Sequence, residues 1–338
     1  MRHTVQFFRG AAAAGLLLCA CVDWRSVGYY SRVLHDGEKS SFVEGSGAYR
    51  FSSLCTFGSE STTVRLLVVG DWGSGMPTQY AVARAMAVIA RTERPHAVIS
   101  TGDNFYPSGV AAADDSLFST RWERVYSDSA LRVPWIIALG NHDHRGNVDA
   151  LVAYGRVNPR WYFPGPYYVT QCDASTTRVA IVVLDTEAML RDRSSRSQQL
   201  RWLDSVLSVT SATVTIVVGH HPIRSYGLYG ETTRLLESLK PILDRRCVML
   251  YLCGHDHDVQ IIEHPDDRFA CIVSGNGGKS RRTRYGSYTR RAWTGGGFVY
   301  LACRADTTVV AQVITAQGHT LSCDTLGVHR QGLEPRTR

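Results

Sequence analysis

Residues 64–73 read Val64-Arg65-Leu66-Leu67-Val68-Val69-Gly70-Asp71-Trp72-Gly73. A run dominated by branched apolar side chains predicts a strand over 64–69. The glycine then lets the chain turn sharply, so that the Asp71 carboxylate stands at the strand's carboxyl end. The same arrangement recurs four times. Thr101-Gly102-Asp103-Asn104-Phe105-Tyr106 follows an apolar run at 97–100, and Leu139-Gly140-Asn141-His142-Asp143-His144 ends the run at 133–139. Val218-Gly219-His220-His221-Pro222 ends the run at 214–218, and Leu252-Cys253-Gly254-His255-Asp256-His257 the run at 248–252. Sheets with helical crossovers place their sites at the carboxyl ends of strands. A polar residue after one strand is more often a turn residue than a ligand. Five such clusters in succession supply carboxylate, phenolate, amide and imidazole donors. One ion cannot use so many, whereas a pair about 3.5–4 Å apart, bridged by a carboxylate, can.

Working outward, further strand-like runs lie at 179–184, 259–262, 269–274, 298–302 and 307–314, and helical patterns at 79–90 and 198–209. Alternating strands and helices followed by a run of strands predict one α/β domain over 63–325, built on two packed sheets with helices outside. Residues 326–338 read as a tail. Between Lys279 and Arg291 six basic residues (Lys279, Arg281, Arg282, Arg284, Arg290, Arg291) stand among glycines, serines and tyrosines. That stretch reads as a mobile loop that either steers anionic substrates or is simply solvated.

The composition (338 residues, 44% hydrophobic, 20% charged) is that of a folded globular chain and excludes disordered and collagen-like classes. The net charge of +7 suits anionic partners without choosing among them. Nucleic acid is not expected as a partner, because no recognised binding motif accompanies the charge. At the amino end, Arg2, His3 and Arg9 precede an apolar run at 11–20 that is too short to cross a bilayer. Residues 1–21 therefore read as an export signal. Leu18-Cys19-Ala20-Cys21 resembles a relaxed bacterial lipoprotein signal with Cys21 as the lipidated residue, ordinary cleavage being the alternative. The expected location is secreted or periplasmic, with any membrane attachment through Cys21. Residues 22–62, rich in Ser, Gly and Tyr, read as an irregular N-terminal extension or tether. Of nine cysteines, seven follow Cys21, an odd set that leaves at least one without an intramolecular partner. Cys247 and Cys253 read as buried thiols on one strand.

The ordered clusters Gly-Asp-Trp-Gly, Gly-Asp-Asn-Phe-Tyr, Gly-Asn-His-Asp, Gly-His-x-Pro and Gly-His-Asp-His resemble the calcineurin-like metallophosphoesterases. Tyr106, three residues after Asp103, narrows the resemblance to the purple acid phosphatases, and the chain's size to their small tartrate-resistant type. Val133-Pro134-Trp135, residues 161–164 and residues 251–255 extend it over about 65–321. The resemblance implies a four-layer α/β/β/α sandwich and a binuclear centre. Asp71, Asp103, Tyr106 and His257 would hold Fe(III). Asp103 would bridge to a divalent Fe, Zn or Mn completed by Asn141, His220 and His255. A phenolate and carboxylates suit a hard trivalent ion, imidazoles and an amide a divalent one, although ligand type alone leaves a Zn or Mn pair open.

The implied reaction is hydrolysis of phosphate monoesters, on small molecules or proteins, by a water made nucleophilic between the metals. A phosphodiesterase or nucleotide hydrolase of the same superfamily would share these ligands, and an idle scaffold should have lost some of them. His142 matches the histidine expected to contact phosphate, or else it orients Asn141. A second histidine is expected nine residues after His220, where this chain has Tyr229. His221 either compensates for it or packs beside the ligand. Mammalian relatives carry a repressive loop between residues equivalent to 186 and 198. The segment 191–196 is too short for that role, so activation by cleavage is not expected.

Overall fold

The structure, a computed structural model, describes residues 61–327 together with strand segments at 41–42, 49–50 and 53–56. The export signal 1–21 with Cys19 and Cys21, most of the tether and residues 328–338 lie outside the described residues. In chain order the first strands are β1 (Ser41–Phe42), β2 (Tyr49–Arg50), β3 (Ser53–Thr56), β4 (Thr63–Val69), β5 (Ala97–Ser100), β6 (Trp135–Ile137) and β7 (Trp161–Tyr162). Then come β8 (Tyr168–Asp173), β9 (Arg178–Val183), β10 (Val214–Val218), β11 (Leu250–Cys253), β12 (Val259–Ile262) and β13 (Ala270–Ser274). The last are β14 (Thr289–Trp293), β15 (Gly297–Arg304), β16 (Val309–Thr315) and β17 (Thr320–Leu326). The helices are α1 (Pro77–Glu93), α2 (Val148–Val157), α3 (Thr186–Arg191), α4 (Arg193–Val209), α5 (Thr233–Ser238) and α6 (Lys240–Arg245).

β1 and β2 form a small antiparallel pair. The other strands make two mixed sheets, one ordered β17-β16-β15-β4-β5-β6-β7 and the other β14-β12-β13-β11-β10-β9-β8-β3. At the middle of each, parallel strands run side by side: β4, β5 and β6 in the first, β9, β10 and β11 in the second. Strands buried on both faces read as continuous apolar runs, which is why these were visible in the sequence. Alternation then divides their side chains between two cores. Val179, Ile181 and Val183 of β9 and Leu250 and Leu252 of β11 join a large cluster that includes Leu66 and Val68 of β4 and Val98 of β5. Val182, Tyr251 and Cys253 point the other way, against Met189 of α3, Leu203 and Leu207 of α4, Leu235 of α5 and Leu243 of α6. The sheets thus pack face to face with helices outside, as predicted.

Three expectations need correction. Ser53–Thr56, read as tether, is an edge strand parallel to β8, and Cys55 is bonded to Cys172 opposite it. Its brevity and its Ser and Thr residues hid it. The end of the supposed mobile loop is β14, paired with β12. Cys247 does not share a strand with Cys253: it lies before β11, exposed, at φ 52°. Between α3 and α4 there is only Asp192, whose carboxylate accepts the Ser195 N–H, so residues 191–196 are almost wholly helical. Among the described residues no helix is long and apolar enough to cross a membrane.

Candidate binuclear metal centre

All five polar clusters converge. Asp71, Asp103 and Asn141 follow β4, β5 and β6 of one sheet, and His220 and His255 follow β10 and β11 of the other. The centre therefore forms where the carboxyl ends of both parallel sets meet. Donor atoms of Asp71, Asp103 and His220 all lie within 4.8 Å of one another. Around them two groups of four overlap. In the first, Tyr106 Oη is 3.0 Å from Asp71 Oδ1, 2.9 Å from Asp103 Oδ2 and 3.3 Å from His257 Nε2. In the second, His220 Nε2 is 3.5 Å from Asp103 Oδ1, 3.3 Å from Asn141 Oδ1 and 3.3 Å from His255 Nδ1. Asp103 belongs to both, one oxygen to each.

The backbone is bent to achieve this. Asp71, Asp103 and His255 have φ of 56°, 53° and 70°, a left-handed region that costs a side-chain-bearing residue about 1 kcal/mol or more. Neighbouring glycines leave the room. A Cβ on Gly140 would stand 2.2 Å from Asp103 Oδ1, and one on Gly254 2.4 Å from Asp71 Oδ2. Packing holds the bend in place. Trp72 makes edge contacts with Phe105, Tyr126, Trp135 and Trp161, each such pair contributing roughly 0.5–1.5 kcal/mol beyond its buried area. Its Nε1–H donates to Ser100 Oγ at 2.9 Å.

A residue not singled out earlier, Asp143, joins two of the loops. Its carboxylate accepts the N–H groups of Gly140 at 2.8 Å and Asn104 at 3.0 Å, and the Asn104 amide at 2.9 Å. The only sequence signal for it was its place within Asn-His-Asp. Asp256, between His255 and His257, is likewise buried; it accepts Ser225 Oγ–H and, at 2.9 Å, the Tyr229 N–H.

The donor set suits cations. His220 Nδ1 donates to the Thr101 carbonyl at 2.9 Å, which turns Nε2 toward Asn141, His255 and Asp103. Burial, and then the charge of His220, lowers His255 to about 3; burial, and then Arg281, lowers His257 to about 4. Both imidazoles are thus neutral and able to donate electron pairs. Burial raises Asp71 well above the usual carboxylate range, His220 opposing the rise and Asp103 adding to it, whereas Asp103 is lowered despite its burial, by His220 above all. The Tyr106 phenol is raised by burial and by Asp71 and Asp103. A metal at these atoms would reverse that logic, favouring every ionised donor.

The predicted proton donors differ in placement. His142 Nδ1 lies 2.6 Å from the Pro107 carbonyl, its Nε2 is 3.8 Å from Asp103 Oδ2, and its ring is 4.4 Å from that of Tyr106. His221 is buried, with Nδ1 3.0 Å from Thr186 Oγ1 and Nε2 3.3 Å from Glu187 Oε2. Both its nitrogens are engaged away from the centre. Tyr229 is 51% exposed and stacks on His255, ring centroids 4.4 Å apart.

Residues 64–259 match the calcineurin-like phosphoesterase family. The chain is 39% identical to mouse tartrate-resistant acid phosphatase type 5 over 248 residues, 66% of this chain and 76% of that protein. It is 34% identical to Arabidopsis thaliana purple acid phosphatase 4, over 66% of this chain and 70% of that one. Among solved structures it resembles GAP50, the anchor in the inner membrane complex of Plasmodium, with a TM-score of 0.73 and 26% identity over 80% of this chain and 90% of that one.

Proposed function

Because the chain belongs to the calcineurin-like phosphoesterase family, as a dimetal acid phosphatase of the tartrate-resistant and purple group, we propose how its residues divide the work. Asp71, Asp103, Tyr106 and His257 hold Fe(III). Asp103, Asn141, His220 and His255 hold a divalent Fe, Zn or Mn. The observation that carries this reading is the pair of overlapping groups that share Asp103. When bound, the metals supply Lewis acidity to the phosphoryl oxygens and acidify water.

The chain's own residues do the rest. Asp103 fixes the spacing of the two positions, and its Oδ1 also accepts the His142 N–H at 2.8 Å. His142 presents Nε2 to a phosphoryl oxygen or to the departing oxygen, its Nδ1 being turned to Pro107. Tyr229, above His255, lines the side from which the leaving group departs. His221 orients the surrounding turn through Thr186 and Glu187 rather than moving a proton. Substrates are phosphate monoesters, small or on proteins. Export through residues 1–21 and lipid attachment at Cys21 complete the proposal, and mass analysis of the mature amino terminus tests them.

The likeness to GAP50 favours one second reading, an anchoring protein on the same fold. The retained donor set weighs against it. Purified, iron-loaded protein decides between them. The expected result is a visible tyrosinate-to-iron band that disappears in Tyr106→Phe, together with hydrolysis of p-nitrophenyl phosphate at acidic pH. Colourless active protein would remove iron from the proposal. A metal-replete protein inert toward monoesters and diesters would leave the anchor.

A further inference from the structure

The basic residues between Lys279 and Arg291 are not equivalent. Arg290 pairs with Glu263, and Arg291 lies 3.2 Å from Asp324. Among the described residues, Lys279 and Arg281 have no carboxylate within the 4.0 Å of an ion pair. Each instead lies against an aromatic ring of the centre. Lys279 Nζ is 4.0 Å from the centroid of Tyr106, whose hydroxyl touches Asp71 and Asp103. Arg281 Cζ is 5.0 Å from the centroid of Tyr229, whose ring stacks on His255, and Arg281 Nη1 donates to Tyr229 Oη.

The backbone holds both cations in place. Arg281 N–H donates to the His257 carbonyl at 2.7 Å, and Tyr229 N–H donates to Asp256. Just before Lys279, the Gly278 carbonyl accepts Ser74 Oγ–H at 2.8 Å, and a Cβ on Gly278 would stand 2.3 Å from the Trp72 carbonyl. Lys279 and Arg281 are half-buried. Cations partly withdrawn from water, held in place and left unpaired call for an anion. One lies beside the Tyr106 group of donors and the other beside the His255 group, so the anion belongs next to the reacting phosphoryl group.

We propose that Lys279, Arg281 and the Tyr229 hydroxyl form a second anion subsite, which holds a phosphate attached to the reacting phosphoryl group and so favours compounds of the diphosphate class over simple monoesters. This rests on the acid phosphatase reading above. Arg281 offers a planar fork to the phosphate oxygens and Lys279 a point charge. Tyr229 Oη accepts from Arg281, so its own hydrogen remains to be donated to the same anion.

The test compares the metal-loaded wild type with Lys279→Met, Arg281→Met and, as control, Arg282→Met, an exposed cation of the same loop. The ratio of kcat/KM for inorganic pyrophosphate to that for p-nitrophenyl phosphate is expected to fall about tenfold in each of the first two variants, mainly through KM, and to hold in the control. Calorimetric Kd values for methylenediphosphonate should rise about tenfold in the same two variants, against a smaller change for orthophosphate. An unchanged ratio in both variants, or equal losses for diphosphonate and orthophosphate, would overturn the subsite while leaving the phosphatase intact. Absence of any p-nitrophenyl phosphate turnover by the loaded wild type would overturn the phosphatase reading and the subsite with it.

Discussion

Position 229 holds a tyrosine where the family resemblance implies a histidine, and its surroundings show how that tyrosine is placed. Its ring covers His255 and its hydroxyl accepts from Arg281, so it is placed to bind an anion. His221 cannot take over, because Thr186 and Glu187 occupy both its nitrogens. On the proposed mechanism, the burden of protonating a departing alkoxide therefore falls on His142. Tyr229→His is expected to raise kcat for alkyl phosphates, whose leaving groups need a proton, by about tenfold or more. The gain for p-nitrophenyl phosphate, whose leaving group does not, should be smaller. Steady-state rates across a leaving-group series measure this, and a uniform change would refute it. Five of the seven proposed metal donors, Asp71, Asp103, Asn141, His220 and His255, were legible from sequence because each follows a glycine at a strand end. The lack of freedom at His221 was not, since Thr186 and Glu187 come from a distant helix.

At the level of strands and loops, the centre depends on Asp143 as a strut between the turns after β5 and β6. Burial, reinforced by Asp103, raises this carboxyl to about 6, yet four N–H groups point at it, those of Gly140, Phe105 and Asn104 and the Asn104 amide. Asp143→Ala orphans those donors, each at a cost of about 1–3 kcal/mol if no water replaces the oxygen. Metal affinity should fall about 10- to 100-fold, which competition with a chelator would measure. Retention of wild-type affinity would show that the turns hold themselves. The same scale explains which strands could be read in advance. β4, β5, β10 and β11 are buried on both faces and are continuous apolar runs. β17 alternates exposed and buried residues and β14 is only half-buried, so neither produced such a run. β7 is two residues long, too short for any period to show.

For the whole molecule, the sequence carried the architecture of two sheets but not the partnerships between distant segments. Nothing in the spacing of seven cysteines singles out Cys55 and Cys172, which meet because β3 docks on β8. Their bond spans 117 residues, and closing so long a loop is worth up to about 4.7 kcal/mol in the chain-entropy account. Replacing both by serine should lower the melting temperature clearly while leaving the visible spectrum and kcat/KM near wild type, since β3 and β8 form one edge of their sheet, with β9 between them and the strands that carry His220 and His255. An unchanged melting temperature would mean that the edge strand contributes little. The junction between the sheets carries a different consequence, one of timing. Asp71 and His255, 184 residues apart, touch through a hydrogen bond of 3.0 Å, and no single sheet contains a full set of donors. In a refolding chain, binding by the full donor set must therefore come last, after both halves have formed and docked, so that on the proposed iron assignment the appearance of colour would act as a clock for the completion of folding.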